Sequence, residues 1–341
     1  MLAVVGYHTN LRPFRGGDLG VQVFFVLSGF LITSLLLGER ERAGRLDLKA
    51  FYLRRVLRLA PALVVVLAVV LLVGELRLGR IGRDFSAGAV RTQVLLAATY
   101  FSDVAAAAGY DMGPLLHTWT LSIEEHFYLL WPPLLVLLSR RRPQVIVWFV
   151  LAGALLSWLL RSILVLHGAS LVRTTYGPDV RADGLLLGCA LAAWLVQHDG
   201  RCPPRLARLA PGWVGLAVLA VLVVFPPPNR GGALFGYALG AVASALLIVG
   251  VLPGASPRLA TWVSFRPLVH VGVVSYGLYL WNFVLVRMIA ADDVPAVLGP
   301  AVGPARLLLC FAAAELSYRL VEAPFLRLKQ RAARGALPAA T

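Results

Sequence analysis

The densest concentration of reactive side chains is the run His117-Thr-Trp-Thr-Leu-Ser-Ile-Glu124-Glu125-His126-Phe-Tyr128-Leu-Leu-Trp131-Pro132. On a helix, positions 117, 121, 124, 128 and 131 share one face, so the spacing predicts His117, Glu124, Tyr128 and Trp131 in a line, with Glu125 about 100° around from Glu124. Two adjacent carboxylates do not both face lipid; at least one points into a bundle or a wet cavity, unless the pair is solvated at an interface. His8 is a second candidate, because imidazole titrates near neutrality and serves as a general base. A histidine hydrogen-bonded to a carbonyl at the membrane surface is the alternative. Between the second and third apolar segments, Lys49-Ala-Phe-Tyr-Leu-Arg54-Arg55-Val-Leu-Arg58 places three guanidinium groups at helical spacings of three and four. Such a cluster clamps phosphates through forked hydrogen bonds, or marks topology and meets lipid head groups. Finally, Arg181-Ala-Asp183 opens another apolar segment with a base and an acid two apart, where Asp183 fits a helix N-terminal cap.

These residues need elements to hold them, and composition says of what kind. Of 341 residues, 59% are hydrophobic and 14% charged, against about 45–50% and about 25% in soluble domains. That excludes a soluble enzyme. The net charge of +15 would suggest nucleic-acid binding in a soluble chain; in a membrane chain it reads as basic loops kept on the cytoplasmic side. No nucleic-acid partner is expected. Cys189, Cys202 and Cys310 have no metal or redox spacing, and no metal site is expected. Apolar segments at 19–37, 59–74, 117–138, 144–166, 183–197, 210–225, 233–252, 267–290 and 298–322, together with a stub at 1–9, predict an all-α polytopic transmembrane bundle of about ten helices. The stub MLAVVGYH reads as the second half of a helix, so the first helix is expected to be truncated. Segment 86–106 carries Arg91, Gln93, Tyr100 and Asp103. If it crossed, Arg140, Arg141 and Arg142 would lie outside against the positive-inside bias; it is therefore expected to be re-entrant or interfacial, with both termini cytoplasmic. More than half of the 32 basic residues then fall in inside loops, including Lys329, Arg331 and Arg334, while Arg12 lies outside. Gly29, Gly184 and Gly188 read as positions of close helix packing.

Five blocks now stand in order: Gly20-Val-Gln-Val-Phe-Phe-Val-Leu-Ser28-Gly29-Phe-Leu-Ile-Thr33, Phe51-Tyr-Leu-Arg-Arg-Val-Leu-Arg-Leu-Ala-Pro61, the His117 to Tyr128 run, Ser275-Tyr-Gly-Leu-Tyr-Leu-Trp281, and Glu322-Ala-Pro-Phe325. Together they resemble the acyltransferase-3 family of integral-membrane O-acyltransferases over essentially the whole chain. The resemblance implies transfer of an acyl group, often acetyl, from cytoplasmic acyl-coenzyme A to a hydroxyl, usually of a sugar. Acyl-CoA is then a donor substrate rather than a bound cofactor, and the acceptor a saccharide or small glycoside. It further implies that His8 is the catalytic base, that Arg54, Arg55 and Arg58 bind coenzyme A, and that Glu124, with Glu125 beside it, is a carboxylate of the site. On this reading Glu124 orients or charge-balances His8, and Tyr128, Arg181 and Asp183 are further candidates, Tyr128 as donor to an oxyanion. Gln22 stands where the family usually has Asp, Asn282 where it has His, and His126 where it has Gln. The chain divides into a membrane acyltransferase domain at 1–325 and a cytoplasmic basic tail at 326–341, in a bacterial cytoplasmic membrane. A transporter or flippase, or a non-catalytic relative, is the competing expectation.

Overall fold

The computed structural model describes residues 1–9, 11, 13–138, 141–289 and 299–327. Arg12, Arg140, Lys329, Arg331 and Arg334 lie outside the described residues, as does most of the expected tail. Among the described residues every regular element is helical, and each of the ten expected segments contains a helix. The main elements up to the middle of the chain are α1 (Leu2–His8), α2 (Gly20–Ala43), α3 (Leu48–Glu75), α4 (Gly79–Asp84), α5 (Ala87–Ala98), α6 (Ser102–Ala107), α7 (Trp119–Leu138), α8 (Pro143–Leu166), α9 (Leu171–Tyr176) and α10 (Ala182–Val196). Apolar helices follow at Pro211–Val224, Tyr237–Val251, Ser275–Met288 and Gly299–Ser317.

Six described helical stretches are long and apolar enough to cross a membrane, and a seventh span forms if Arg266–Val273 and Ser275–Met288, bent by 67°, count as one. The chain is a multi-pass membrane protein. Ala182–Val196 and Pro211–Val224 are apolar but have only 15 and 14 residues, short of the roughly 20 that a straight crossing needs. The outer surface is leucine, valine and tryptophan, as Leu130, Trp148, Leu156 and Leu166 show by being two-thirds or more exposed. With hydrocarbon around it, such a surface has no reason to be polar. The segment expected not to cross is two short helices, α5 and α6, broken at Tyr100, whose φ of 58° lies in the left-handed region.

Local signals set the helix ends. Asp47 caps α3 by accepting from the Ala50 amide at 2.9 Å, and Ser86 caps α5 through the Ala89 amide at 3.1 Å. Gly44, at φ 69°, closes α2 with its amide on the Arg40 carbonyl. Of the several apolar clusters, two are the most extensive. One joins α3, α5 and Ser275–Met288 through Val66, Val70, Val90 and Leu280. The other joins α2, α7, α8 and α10 through Leu36, Trp131, Val150 and Ala193. Trp131 also ties α7 to α2, its indole N–H donating to Thr33 Oγ1 at 2.9 Å.

The crossing of α2 and α10 is set by backbone contact. A Cβ added to Gly29 would lie 1.9 Å from the Leu185 carbonyl oxygen, and one on Gly188 would lie 2.1 Å from that of Val26. Both helices present glycine to the other's backbone, so neither approach relaxes by turning a side chain. Gly188→Ala is expected to push the helices apart and destabilise the bundle by about 1–3 kcal/mol or more, read as a lowered thermal midpoint of the detergent-solubilised protein. An unchanged midpoint would show that the approach is looser than described.

Candidate active site

Where the ends of α1, α2 and α10 and the C-terminal half of Ser275–Met288 converge, they enclose a cavity of about 460 Å³. His8 lines it from the last residue of α1. Its Nδ1 is 2.6 Å from Asn282 Oδ1, and the Asn282 Nδ2 group donates to the Tyr279 carbonyl at 3.0 Å. That second bond fixes the amide, because only the nitrogen end of the side chain can donate to a carbonyl. The oxygen therefore faces the imidazole, Nδ1 carries the proton in the neutral ring, and Nε2 keeps its lone pair. Asn282 is fully buried. Phe283, edge-on to His8 with centroids 5.1 Å apart, wedges the ring from another side.

Glu124 was expected to orient this imidazole. It does not: its Oε1 accepts from Ser28 Oγ at 2.6 Å. From His117, which lines the cavity, the chain descends roughly 10 Å to Glu124 at helical rise. The neutral amide of Asn282, brought from the far end of the sequence, takes the orienting place. The predicted alignment of His117 with Glu124 also fails, because Gly113–Thr118 is a 3₁₀ turn and α-helical register starts only at Trp119. His117 instead packs on Phe283 and Tyr279, with centroids at 5.2 and 5.5 Å. The Tyr279 hydroxyl donates to the His117 carbonyl.

The carboxylates sit in a second cluster, toward the other end of the bundle. Arg55 places its guanidinium carbon 3.2 Å from the centroid of the Tyr128 ring, and its Nε lies 3.8 Å from Glu125 Oε1. Arg54 pairs with Glu39 at 3.3 Å, whereas Arg58 is exposed. Glu39 and Asp18 are separated by most of α2, roughly 30 Å of helix, which puts Arg54 far from the His8 cavity. Arg55 and Glu125 border a smaller cavity of about 210 Å³, together with Leu59, Leu63 and Leu67 of α3 and Tyr100. Burial and the nearby Glu125 carboxylate push the Tyr100 hydroxyl up to about 12, so it remains a neutral donor there. Tyr128, expected as an oxyanion donor, is packed beneath Arg55 and does not line the His8 cavity. Tyr7, Tyr176, Tyr237 and Tyr279 do. Burial raises the Tyr176 hydroxyl above its ordinary value, so it too stays protonated.

Asp183 is not a helix cap. Its Oδ2 accepts from Arg161 Nη2 at 2.6 Å, across from α8. Arg161, fully buried, also donates to the carbonyls of Ala233 and Val180. Arg181 lies in the His8 cavity, 3.6 Å over the Tyr237 ring. His126 sits 3.3 Å from Asp103 Oδ2. Arg161 stands inside an apolar segment, and a charge there is a signal in itself, although nothing in its neighbourhood names its partners.

The acyltransferase domain profile of the acyltransferase-3 family matches residues 1–315. The chain belongs to that family. Among curated relatives of this acyltransferase-3 chain, the peptidoglycan O-acetyltransferase OatA of Listeria monocytogenes is 32% identical over 340 residues, covering 95% of the chain and 54% of the relative. The O-acetyltransferase OatA of Staphylococcus aureus is 31% identical over 337 residues, covering 95% and 55%. The chain thus spans about half the length of the curated relatives it matches. No solved structure matches it.

Proposed function

We propose that this chain is a membrane O-acetyltransferase that moves an acetyl or other short acyl group from acyl-CoA to a hydroxyl of a saccharide or small glycoside. The observation that carries the reading is His8: a histidine with its Nδ1 held by a fixed amide, its Nε2 lone pair available, in a cavity walled by aromatic rings. A neutral imidazole so held is a ready general base. Aromatic faces suit the C–H faces of a sugar, and the O-acetyltransferase names of the relatives point the same way.

In this reading the donor enters at the Arg54, Arg55 and Arg58 end, which lies on the cytoplasmic side with both termini, in a bacterial cytoplasmic membrane. The guanidinium groups hold the phosphates of coenzyme A. The pantetheine arm extends between helices toward the His8 cavity, past the Ser28–Glu124 hydrogen bond. The acceptor hydroxyl gives its proton to His8 Nε2 as its oxygen bonds to the acyl carbon. The carbon–sulfur bond then breaks, and the leaving thiolate takes up the proton from the imidazolium. Transfer is direct, with no acyl-enzyme.

The test uses purified protein in lipid vesicles with acetyl-CoA labelled in the acetyl group. With a saccharide acceptor present, label is expected on the sugar. With acceptor withheld, stable label on the protein would replace direct transfer by a covalent route; no transfer to any acceptor would remove the enzymatic reading.

A further inference from the structure

Arg181 is the anomaly of the His8 cavity. It is 1% exposed, yet its Nε and Nη1 have no hydrogen-bond partner among the described residues. Its guanidinium lies over the Tyr237 ring at 3.6 Å and beside Trp119 at 5.4 Å. Stacking of this kind offsets only part of the cost of taking a cation out of water. The two carboxylates nearest in sequence are engaged elsewhere, Asp183 with Arg161 at 2.6 Å and Asp179 with Arg173. Asp18 lines the same cavity and acts on Arg181 through its charge, but it makes no ion pair within 4.0 Å of it among the described residues. Two more cations, Arg15 and Arg287, are exposed on the lining, so guanidinium charge outweighs carboxylate there. The cavity is built with an incompletely satisfied guanidinium on its wall, and such a cation attracts a carboxylate or phosphate.

We propose that the cavity reads an anionic group on its acceptor through Arg181, so that the acceptor is an acidic saccharide, carrying a carboxylate or a phosphate. The inference rests on the His8 cavity being the acceptor site. The anion pairs with the guanidinium from the cavity side while Tyr237 and Trp119 keep its plane fixed. The exposed Arg15 and Arg287 draw the ligand in by charge without holding it. Fixing the anion at one wall also fixes which hydroxyl of the sugar reaches His8, and the same residue thereby selects the position that is modified.

The test measures binding alone, with no acyl donor present, so its outcome is independent of whether transfer is observed. Glucose, glucuronate and glucose 6-phosphate differ only at C6 and are titrated into the full chain in lipid nanodiscs by calorimetry. At least one of the two anions is expected to bind about tenfold or more tighter than glucose. Arg181→Gln is expected to abolish that preference while glucose binding stays within about twofold, and Arg15→Gln and Arg287→Gln are expected to keep it. Equal binding of all three sugars by the native chain, or an undiminished preference in Arg181→Gln, overturns the proposal. Should Arg181→Gln fail to fold, Arg181→Lys keeps the charge and loses the planar guanidinium. It is expected to bind the preferred anion several-fold more weakly than the native chain, and native affinity in that variant overturns the proposal equally.

Discussion

His8→Ala is expected to lower acetyl transfer about 100- to 10,000-fold, the range general acid–base groups contribute, which corresponds to about 3–5 kcal/mol of barrier. The loss is expected without loss of folded protein. His8 is the last residue of the seven-residue helix α1 and is held through a single side-chain hydrogen bond to Asn282. Alanine there removes ring packing on Phe283 but leaves no buried charge behind. Labelled acetyl-CoA and a saccharide acceptor, with rates normalised to correctly assembled protein, provide the measurement. Retained activity would remove His8 from the chemistry and, with it, the proposed mechanism. Asn282→Ala separates positioning from chemistry. It leaves Nε2 intact and lets the ring choose its tautomer and rotamer, so the expected loss is about three- to tenfold, the worth of one neutral hydrogen bond. If both variants lost activity equally, the imidazole would be serving as structure rather than as base.

Much of the architecture was legible because a membrane span is a length of apolar residues, and length is local information. Each of the ten apolar segments holds a helix, although the helix over 59–74 begins already at Leu48 and 267–290 folds as two helices bent by 67°, and Gly29 and Gly188 were recognisable as close-approach positions. The charge of the loop at Arg140 to Arg142 kept segment 86–106 from reading as a span, and it folds as two short helices. What the sequence could not supply was partnership. The Asn282 amide lies 274 positions from His8, and nothing in either neighbourhood points to the other; Asn282 looked like a lost ionisable group, whereas its place is that of the orienting partner assigned to Glu124. His117 was misplaced for a different reason. A 3₁₀ turn advances 120° per residue rather than 100°, so a few residues of it rotate a side chain off the face that helical periodicity predicts. Tyr128 lay on the expected helix, but its neighbour Arg55 comes from α3, and only the packing of α3 on α7 shows that its ring is a platform for a cation.

The pair of Arg161 and Asp183 carries the largest structural consequence. Both are buried, 2.6 Å apart, and Arg161 also donates to the carbonyls of Ala233 and Val180. A single guanidinium therefore joins α8, the turn before α10 and the π-helical turn Gly232–Gly236, the frame that presents Arg181 and Tyr237 to the cavity. Asp183→Ala removes the only carboxylate within ion-pair reach of Arg161 among the described residues. Breaking a buried pair on one side costs about 3–5 kcal/mol, because the remaining charge has neither water nor partner. Asp183→Ala is accordingly expected to assemble poorly or to unfold well below the native chain in detergent, whereas Arg161→Met with Asp183→Leu, which removes both charges, is expected to recover a substantial part of the loss. The recovery is incomplete because the Ala233 and Val180 carbonyls still lack a donor. Thermal unfolding of the solubilised variants, followed by size-exclusion profile, measures both. A double variant no more stable than Asp183→Ala would mean that Arg161 acts through its carbonyl hydrogen bonds, with Asp183 incidental. The opposite ordering would place the ion pair's value in holding α8 and α10 in register for the cavity, a role that apolar residues of similar volume can fill for stability but not for the placement of Arg181.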